Sequence, residues 1–291
     1  MELFMKLGGL VFLFEYDCDL VYDSRLYNYI SNQQDYDVLI HVNTDFDCID
    51  LPDEKLCMCE DLIHKYFKID NKNYCLAKGT FGNYFSASVY ENLNEIFFYI
   101  NDNDFDFKIR NLSVIIRLLP LNNIFSYFNR LFLHSSQISL NDNNGILFTG
   151  PSGIGKSTQA KLWEEHMNAR IICNDRTLIL KEDDNYITYG FPLDGSKPIR
   201  SNEKKQLKAI IFLKQSAVNT IERLSVTKAI SNIMSQLILS DKSNENIDNI
   251  MNSVIDLYKN VPVYELSCTK EIDAVYYLKN KLIDDGVIES G

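Results

Sequence analysis

Basic residues are in short supply: 29 Lys and Arg stand against 40 Asp and Glu, a formal charge of −11 with histidine neutral. General nucleic-acid binding needs a basic face for its phosphate contacts, so nucleic acid is excluded as a partner and any polyanion must be held locally. The seven cysteines, Cys18, Cys48, Cys57, Cys59, Cys75, Cys173 and Cys268, include no C-x-x-C pair. Scattered and odd in number, they outline neither a disulfide framework nor a zinc site, the usage expected of a cytoplasmic protein. Long hydrophobic runs are missing as well. The one segment that imitates a targeting signal, Leu7 to Phe14, follows Glu2 and precedes Glu15, Asp17 and Asp19. It lacks the basic flank and small-residue cleavage site of a signal peptide and reads as a buried strand. No other run is long enough to span a bilayer, so no membrane partner is expected. Internal repeats, Pro-rich linkers and heptads are absent. What remains, 46% hydrophobic and 24% charged residues over 291 positions, is the composition of a globular protein with one large domain or two modest ones.

Residues 1–129 read as short strands between Asx-rich turns. Asp37 to Val42 and Tyr84 to Tyr90 are strand-like, and Asn101 to Asp104 is a turn cluster. A small β-rich domain is expected there, serving partner recognition or assembly. Residues 130–291 have a different texture. Leu131 to Ser139 and Gly145 to Thr149 are joined by Leu140-Asn141-Asp142-Asn143-Asn144, which favours a hairpin turn. A helix with Ala160, Trp163 and Met167 on one face follows Lys156. Strands are expected at Arg170 to Cys173, Thr177 to Lys181, Tyr186 to Tyr189 and Leu207 to Leu213. Val226, Ala229, Ile230, Ile233, Met234, Leu237 and Ile238 recur at helical spacing. A strand over Val261 to Leu266 and a helix opened by Thr269, with Ile272, Val275, Leu278 and Leu282 as its stripe, complete an α/β pattern.

The densest signal is Gly150-Pro151-Ser152-Gly153-Ile154-Gly155-Lys156-Ser157, which satisfies the Walker A pattern G-x-x-x-x-G-K-[ST]. It follows the strand-like Ile146 to Thr149 and precedes a helix, where a phosphate-binding P-loop belongs. Three glycines allow the backbone N–H groups to close around an anion, and a helix N-terminus adds partial positive charge. In that reading Lys156 reaches the β and γ phosphates of ATP. Ser157 offers its hydroxyl to Mg²⁺, and Thr158 adds a contact near the α phosphate. The bland alternative is a glycine-rich turn that binds nothing.

A P-loop enzyme carries a second metal-binding acid at the end of a later strand. Ala209 to Leu213 runs into Lys214-Gln215, with no acid. Asp175, after Ile171-Ile172-Cys173-Asn174, is the better candidate: a strand returning after the helix lies parallel to the loop's strand and presents its end to the same phosphates. The competing reading is an Asn-Asp turn. If Ser139 faces Gly145 across the hairpin, His134 falls opposite Gly150 at the mouth of the loop, as a catalytic or a structural histidine.

The run from Leu133-His134 through the Gly150 to Thr158 loop to Ile172-Cys173-Asn174-Asp175 resembles the C-terminal domain of HPr kinase/phosphorylase. It is more closely similar to the HPr-kinase-related proteins associated with peptide modification in bacteria, in the P-loop class of phosphoenolpyruvate carboxykinase. The resemblance covers about Arg130 to the C-terminus. It implies a P-loop kinase core behind the smaller β-rich domain, ATP with Mg²⁺, and phosphorylation of a serine hydroxyl with an acidic residue acting on the incoming proton. HPr kinases carry two adjacent aspartates where this chain has Asn174-Asp175. Asparagine accepts no proton as a carboxylate does, so Asp175 covers both roles, His134 serves as base, or transfer is slow; the same departure weighs against reversal by phosphorolysis. Tyr189 to Lys197 resembles the glycine-containing segment of the related peptide kinases. Gly190 and Gly195 there permit sharp turns, and Ser196, Lys197 and Arg200 are available to an acceptor or to phosphate, unless this is a plain surface loop.

These readings converge on an ATP- and Mg²⁺-dependent kinase acting on a serine or threonine of a peptide or small protein, with homo-oligomerisation left open. Two rivals stand beside it: a small-molecule kinase, and a nucleotide-gated binding protein without turnover.

Overall fold

The computed structural model describes the chain except residues 22–23, 80–82, 102–109, 141–142, 193–200, 240–243 and 290–291. The architecture is mixed α/β, with two units. Met1–Phe128 form one, and Asn129–Ile238 with the chain from residue 243 onward form the other.

In the first unit the expected strand over Leu7–Phe14 is a hairpin. β1 (Glu2–Leu7) and β2 (Leu10–Tyr16) turn at Gly8 and Gly9, whose φ values of 59° and 81° admit the reversal that a continuous strand reading overlooks. β3 (Val38–Asn43), β4 (Cys59–Glu60), β5 (His64–Ile69), β6 (Lys72–Lys78), β7 (Tyr84–Tyr90) and β8 (Glu95–Ile100) complete a sheet of order β1-β2-β3-β8-β7-β6-β5-β4. β3 is parallel to both neighbours, and the other pairings are antiparallel. Ile96, Phe98 and Ile100 are fully buried while the alternate Glu95 and Phe97 are exposed, the period-2 signature of a sheet with one inner face. Two short helices, α1 (Leu112–Leu118) and α2 (Leu121–Tyr127), lie outside the expected all-strand pattern. Asn111 caps α1 by accepting the Ser113 N–H at 2.9 Å, and Pro120 opens α2. Asn101 donates to Tyr84 O; the rest of the expected Asn101 to Asp104 turn lies outside the described residues.

The second unit contains β9 (Leu131–Ser139), β10 (Asn144–Thr149), α3 (Lys156–Met167), β11 (Arg170–Cys173), β12 (Arg176–Glu182), β13 (Asn185–Gly190), β14 (Lys204–Gln215), β15 (Thr220–Arg223), α4 (Val226–Gln236), α5 (Asn244–Asn260), β16 (Val263–Cys268) and α6 (Asp273–Asp284). The sheet order is β10-β9-β12-β13-β14-β16-β15, and β14 also pairs in parallel with β10. That pairing closes β10, β9, β12, β13 and β14 into a ring. Between its strands Gln137 donates to Thr188 Oγ1 at 2.8 Å, and the Thr188 hydroxyl donates to Lys205 O at 3.2 Å, so these buried polar groups are linked. On the opposite face of β9 and β10, Ile138, Ile146 and Phe148 pack with Trp163 and Ala160 of α3 and with Val275, Leu278 and Leu282 of α6. Phe148 and Trp163 are tilted rings 6.3 Å apart. Trp163 is 1% exposed, and truncating it to alanine costs about 3–5 kcal/mol on the scale of large core aromatics. This core sets α3 against the strands that flank the glycine loop.

Three expected boundaries shift. α4 stops at Gln236, so Leu237 and Ile238 leave its stripe: Leu237 bridges to Leu133, and the Ile238 N–H donates to Phe132 O. The helix expected from Thr269 begins at Asp273, because the Thr269 hydroxyl accepts the Glu271 N–H within a turn instead of capping. The strand expected over Val261–Leu266 runs from Val263 to Cys268. None of the seven cysteines is in a disulfide. Among the described residues no helix is long and apolar enough to cross a membrane.

Candidate functional site

The β9–β10 hairpin has the register expected from the sequence. Gly145 pairs with Ser139 and the ladder runs to Thr149 opposite Ser135, so His134 is the next residue along β9 as the chain leaves β10 for Gly150. Thr149 is fully buried, and its hydroxyl donates to His134 O at 2.8 Å, fixing the point from which the loop departs.

From Gly150 to Gly155 the chain rises from the end of β10 to the first residue of α3. Gly153 and Gly155 have φ of 78° and 118°, and a Cβ built on either meets nothing within 4 Å. Backbone conformation, not crowding, therefore calls for glycine there, and the loop stays open to solvent. Ile154 packs against the α3 core, and Gln215, at the end of β14, holds its amide nitrogen 3.4 Å from the carbonyls of Gly153 and Ile154. Lys156 is 7% exposed. Its ammonium donates to Gly150 O at 2.9 Å and Pro151 O at 3.2 Å. Burial pushes its pKa below the usual lysine value, with the Asp175 carboxylate pulling the other way. Ser157 and Thr158 on the first turn of α3 are exposed, as are Pro151 and Ser152.

Asp175 occupies a break between two ladders. β11 pairs with Ser139 to Gln137 and β12 with His134 to Leu131, both antiparallel to β9. β11 thus has the direction of β10, as expected, with β9 between them. The junction is held by Ser135 N–H donating to Asp175 O at 3.0 Å and Ser136 Oγ donating to Asn174 O at 3.0 Å. Ser135 therefore faces Thr149 on one side and Asp175 on the other. At about 4.8 Å per strand spacing, the two backbones stand about 10 Å apart. The Asp175 carboxylate lies 3.4 Å from His134 Nε2 and 3.2 Å from Arg176 Nε. The His134 ring holds it below the ordinary aspartate pKa; burial opposes this and Arg176 reinforces it. The Asn174 side-chain oxygen is buried without a hydrogen-bond partner.

His134 thus lies within β9 where its ladder with β10 ends, Lys156 opens α3, and Asp175 follows the end of β11. Gly190 belongs to a different setting from the one expected. It is the last residue of β13, buried and paired with Thr177, and a Cβ there would come within 2.7 Å of Ser201 O and 3.3 Å of Cys173 Cβ. It is a close-approach glycine behind the Asp175 junction and not a loop hinge. Gly195, Ser196, Lys197 and Arg200 lie outside the described residues. Three contributors escape the sequence reading: Arg176, Gln215 and the Ser135-Ser136 pair. Arg176, whose guanidinium sits 5.8 Å from the centre of the Phe132 ring, carries a usable signal in its adjacency to Asp175.

Residues 100–273 match the family described as SynChlorMet cassette protein ScmC, and the chain belongs to that family. Among solved structures, the Hpr(Ser) kinase/phosphatase from Coxiella burnetii is similar over 53% of this chain and 98% of its own, at 12% identity and a TM-score of 0.31, a likeness too slight to carry an argument. Among curated proteins, none matches.

Proposed function

We propose that the chain is an ATP- and Mg²⁺-dependent kinase that transfers the γ-phosphoryl group to a serine or threonine hydroxyl of a peptide or small protein. The observation that carries this reading is the buried Lys156 ammonium, held on two loop carbonyls at the foot of an open glycine loop, with an ionised carboxylate across β9. Burial disfavours that ammonium, and a phosphate oxygen is a better partner for it than a carbonyl.

The donor set also fits the metal. Among the described residues no three His, Cys, Asp or Glu side chains could hold an ion together, so an all-protein cage is not what this site offers. Mg²⁺ characteristically takes one or two protein ligands and completes its shell with phosphates and water, and the exposed Ser157 hydroxyl with Asp175 suits that habit. Bound with ATP, the ion supplies charge neutralisation at the phosphate oxygens.

The chain's own groups divide the remaining work. Gly150 to Gly155 with Lys156 orient the triphosphate, and Ser157 and Thr158 flank it on α3. In transfer, the bond from the γ phosphorus to the bridging β-phosphate oxygen breaks, and one to the acceptor hydroxyl oxygen forms. ADP leaves, and the hydroxyl proton passes to a carboxylate or imidazole and on to water. A carboxylate held below its ordinary pKa is a weak base and a good ligand and orienter. Phosphoryl transfer asks mainly for positioning and charge neutralisation, so this suffices. Asp175 accordingly orients the hydroxyl and holds the ion, and His134 and Arg176 keep it ionised. Gly195, Ser196, Lys197 and Arg200, in the segment entered from Gly190, are the proposed acceptor contacts.

Asn174 favours one second reading, a nucleotide-gated binding protein without turnover. The purified chain, incubated with γ-labelled ATP and Mg²⁺ against serine- and threonine-containing peptides, free serine and sugars, separates the readings. Label is expected on peptide hydroxyls, reduced at least about a hundredfold in Lys156→Ala, the scale of removing one preorganised charge-stabilising donor. ATP binding with no labelled product would overturn the kinase, and label confined to a small molecule would overturn the peptide acceptor.

A further inference from the structure

The first unit displays an open sheet face that the phosphoryl-transfer reading does not use. Successive pairings align one row across it: Glu2 opposite Glu15, Glu15 opposite His41, His41 opposite Phe97, Phe97 opposite Val89, and Val89 opposite Tyr74. Over β5 to β7 this face is covered, because Phe46, Ile49 and Cys57 pack with Phe67, Leu76 and Ala87. The cover reaches the half-buried Tyr99 at the far end of β8 and does not include Phe97. Phe97, at the middle of an eight-stranded sheet, is 40% exposed.

Phe97 is also held in place. The His41 ring stacks on it with centroids 4.6 Å apart and planes 19° from parallel. That imidazole is clamped in turn, with Nδ1 3.0 Å from Glu15 and Nε2 3.0 Å from Glu95. Beside Phe97 lies a groove of about 500 Å³ whose walls include Val89, Tyr99, Glu91 and Glu95, with Lys72 as its one cationic side chain. A fixed aromatic face in the open centre of a sheet is an uncommon use of apolar surface, and a carboxylate rim beside it selects the sign of what can cover it.

We infer that this groove is a docking surface for a cationic peptide segment, whose Arg or Lys stems lie across Phe97 and Tyr99 while their charges meet Glu91 and Glu95. Arginine suits it best, since a guanidinium stacks on an aromatic face and pairs with carboxylates at its edge. The whole-chain charge of −11 attracts the same partner from a distance and repels an acidic one.

The test is calorimetric titration of the full chain, without nucleotide, with three synthetic dodecapeptides of alternating Arg-Leu, Gln-Leu and Glu-Leu sequence. Because no ATP is present, its outcome is independent of the kinase reading. The Arg-Leu peptide is expected to bind, more weakly as salt rises, with Gln-Leu weaker and Glu-Leu silent. Phe97→Ser, and separately Glu91→Lys with Glu95→Lys, should weaken binding about tenfold or more, the scale of losing a central anchor or reversing two close charges. All these side chains are on the surface, and thermal melting verifies that the variants fold. Glu164→Lys with Glu271→Lys, the same charge change on exposed positions of the other unit, should leave affinity within about twofold, because it leaves the groove's own carboxylates and aromatic face unchanged. The inference is overturned by equal weakening in groove and control variants, by failure of the Arg-Leu peptide to bind, or by sedimentation showing a dimer that Phe97→Ser dissociates.

Discussion

Each unit carries one histidine facing an aspartate at 3.4 Å, His64 with Asp61 in the first and His134 with Asp175 in the second. The surroundings differ in kind. Asp61 and His64 are neighbours in sequence. One carboxylate oxygen accepts the backbone N–H groups of Ile63 and His64 at 2.8 Å, and the other meets the His64 ring and the Tyr66 hydroxyl. His64 is 6% exposed, and its remaining nitrogen lies 3.2 Å from Leu118 O at the end of α1. Every polar side-chain atom of that pair has a protein partner, although the Asp61 side chain is itself 33% exposed. Asp175, between β11 and β12, and His134, in β9, are far apart in sequence, each side chain is about 30% exposed, and the carboxylate has only side-chain partners. Pair geometry alone therefore does not mark a site. What distinguishes the second pair is unspent acceptor capacity beside an open glycine loop.

The largest expected effects separate the two carboxylates by readout. Asp175→Asn should lower phosphoryl transfer by about a hundredfold or more, while stability changes by less than about 1 kcal/mol, since its polar partners are side chains in contact with water. Asp61→Ala should do the reverse. It leaves two backbone N–H groups and a buried imidazole without their acceptor and should cost about 2 kcal/mol in denaturant unfolding, with the transfer rate per folded molecule unchanged. Equal rate loss in both variants would erase the distinction.

The histidines sharpen it. The His134 ring is the main influence lowering Asp175, so His134→Ala should let that carboxyl rise. If ionised Asp175 is required, the acid limb of the pH–rate profile then moves to higher pH, and an unmoved limb makes the ring a spectator. His64→Ala should leave the profile in place.

The smallest effect is in acid. Burial works to raise Asp61, but the His64 ring and the His64 and Ile63 N–H groups outweigh it and hold the carboxyl far below the usual range; Asp175 is lowered less. Both folded pKa values lie below their unfolded ones. Each group's stabilisation is therefore complete above the ordinary aspartate value and is lost as pH falls through the folded one. The stability difference between parent and Asp175→Asn should close first on acidification, and that between parent and Asp61→Ala at lower pH.

Local chemistry was legible in the sequence, and distant pairing was not. The loop Gly150 to Thr158, its strand and helix, and the β9–β10 register follow from short-range rules, since a five-residue turn fixes which residues face each other. The ring closure between β10 and β14 depends on strands far apart in the chain and leaves no periodic trace. Gly190 misleads for a related reason: a glycine needed because Ser201 O approaches its backbone looks, in sequence, like a glycine needed for a turn. The Asn-rich stretch of α5 reads poorly as a helix because asparagine competes for backbone hydrogen bonds, yet Ile250, Val254 and Leu257 bury one of its faces. The row from Glu2 to Tyr74 crosses six strands and exists only once they are ordered side by side.

The ring of strands also constrains the order in which the molecule can assemble. β10 finds β9 within a few residues, but its other neighbour, β14, is synthesised roughly sixty residues later, and such long closures are slow relative to hairpin formation. A growing chain thus carries the glycine loop on a half-supported strand until β14 arrives, bringing with it Gln215, which stands against the loop's carbonyls. What stays open throughout that interval is the hydrogen-bonding edge of β10 that β14 later covers, and an unpaired strand edge is where a nascent chain is most exposed to wrong pairing.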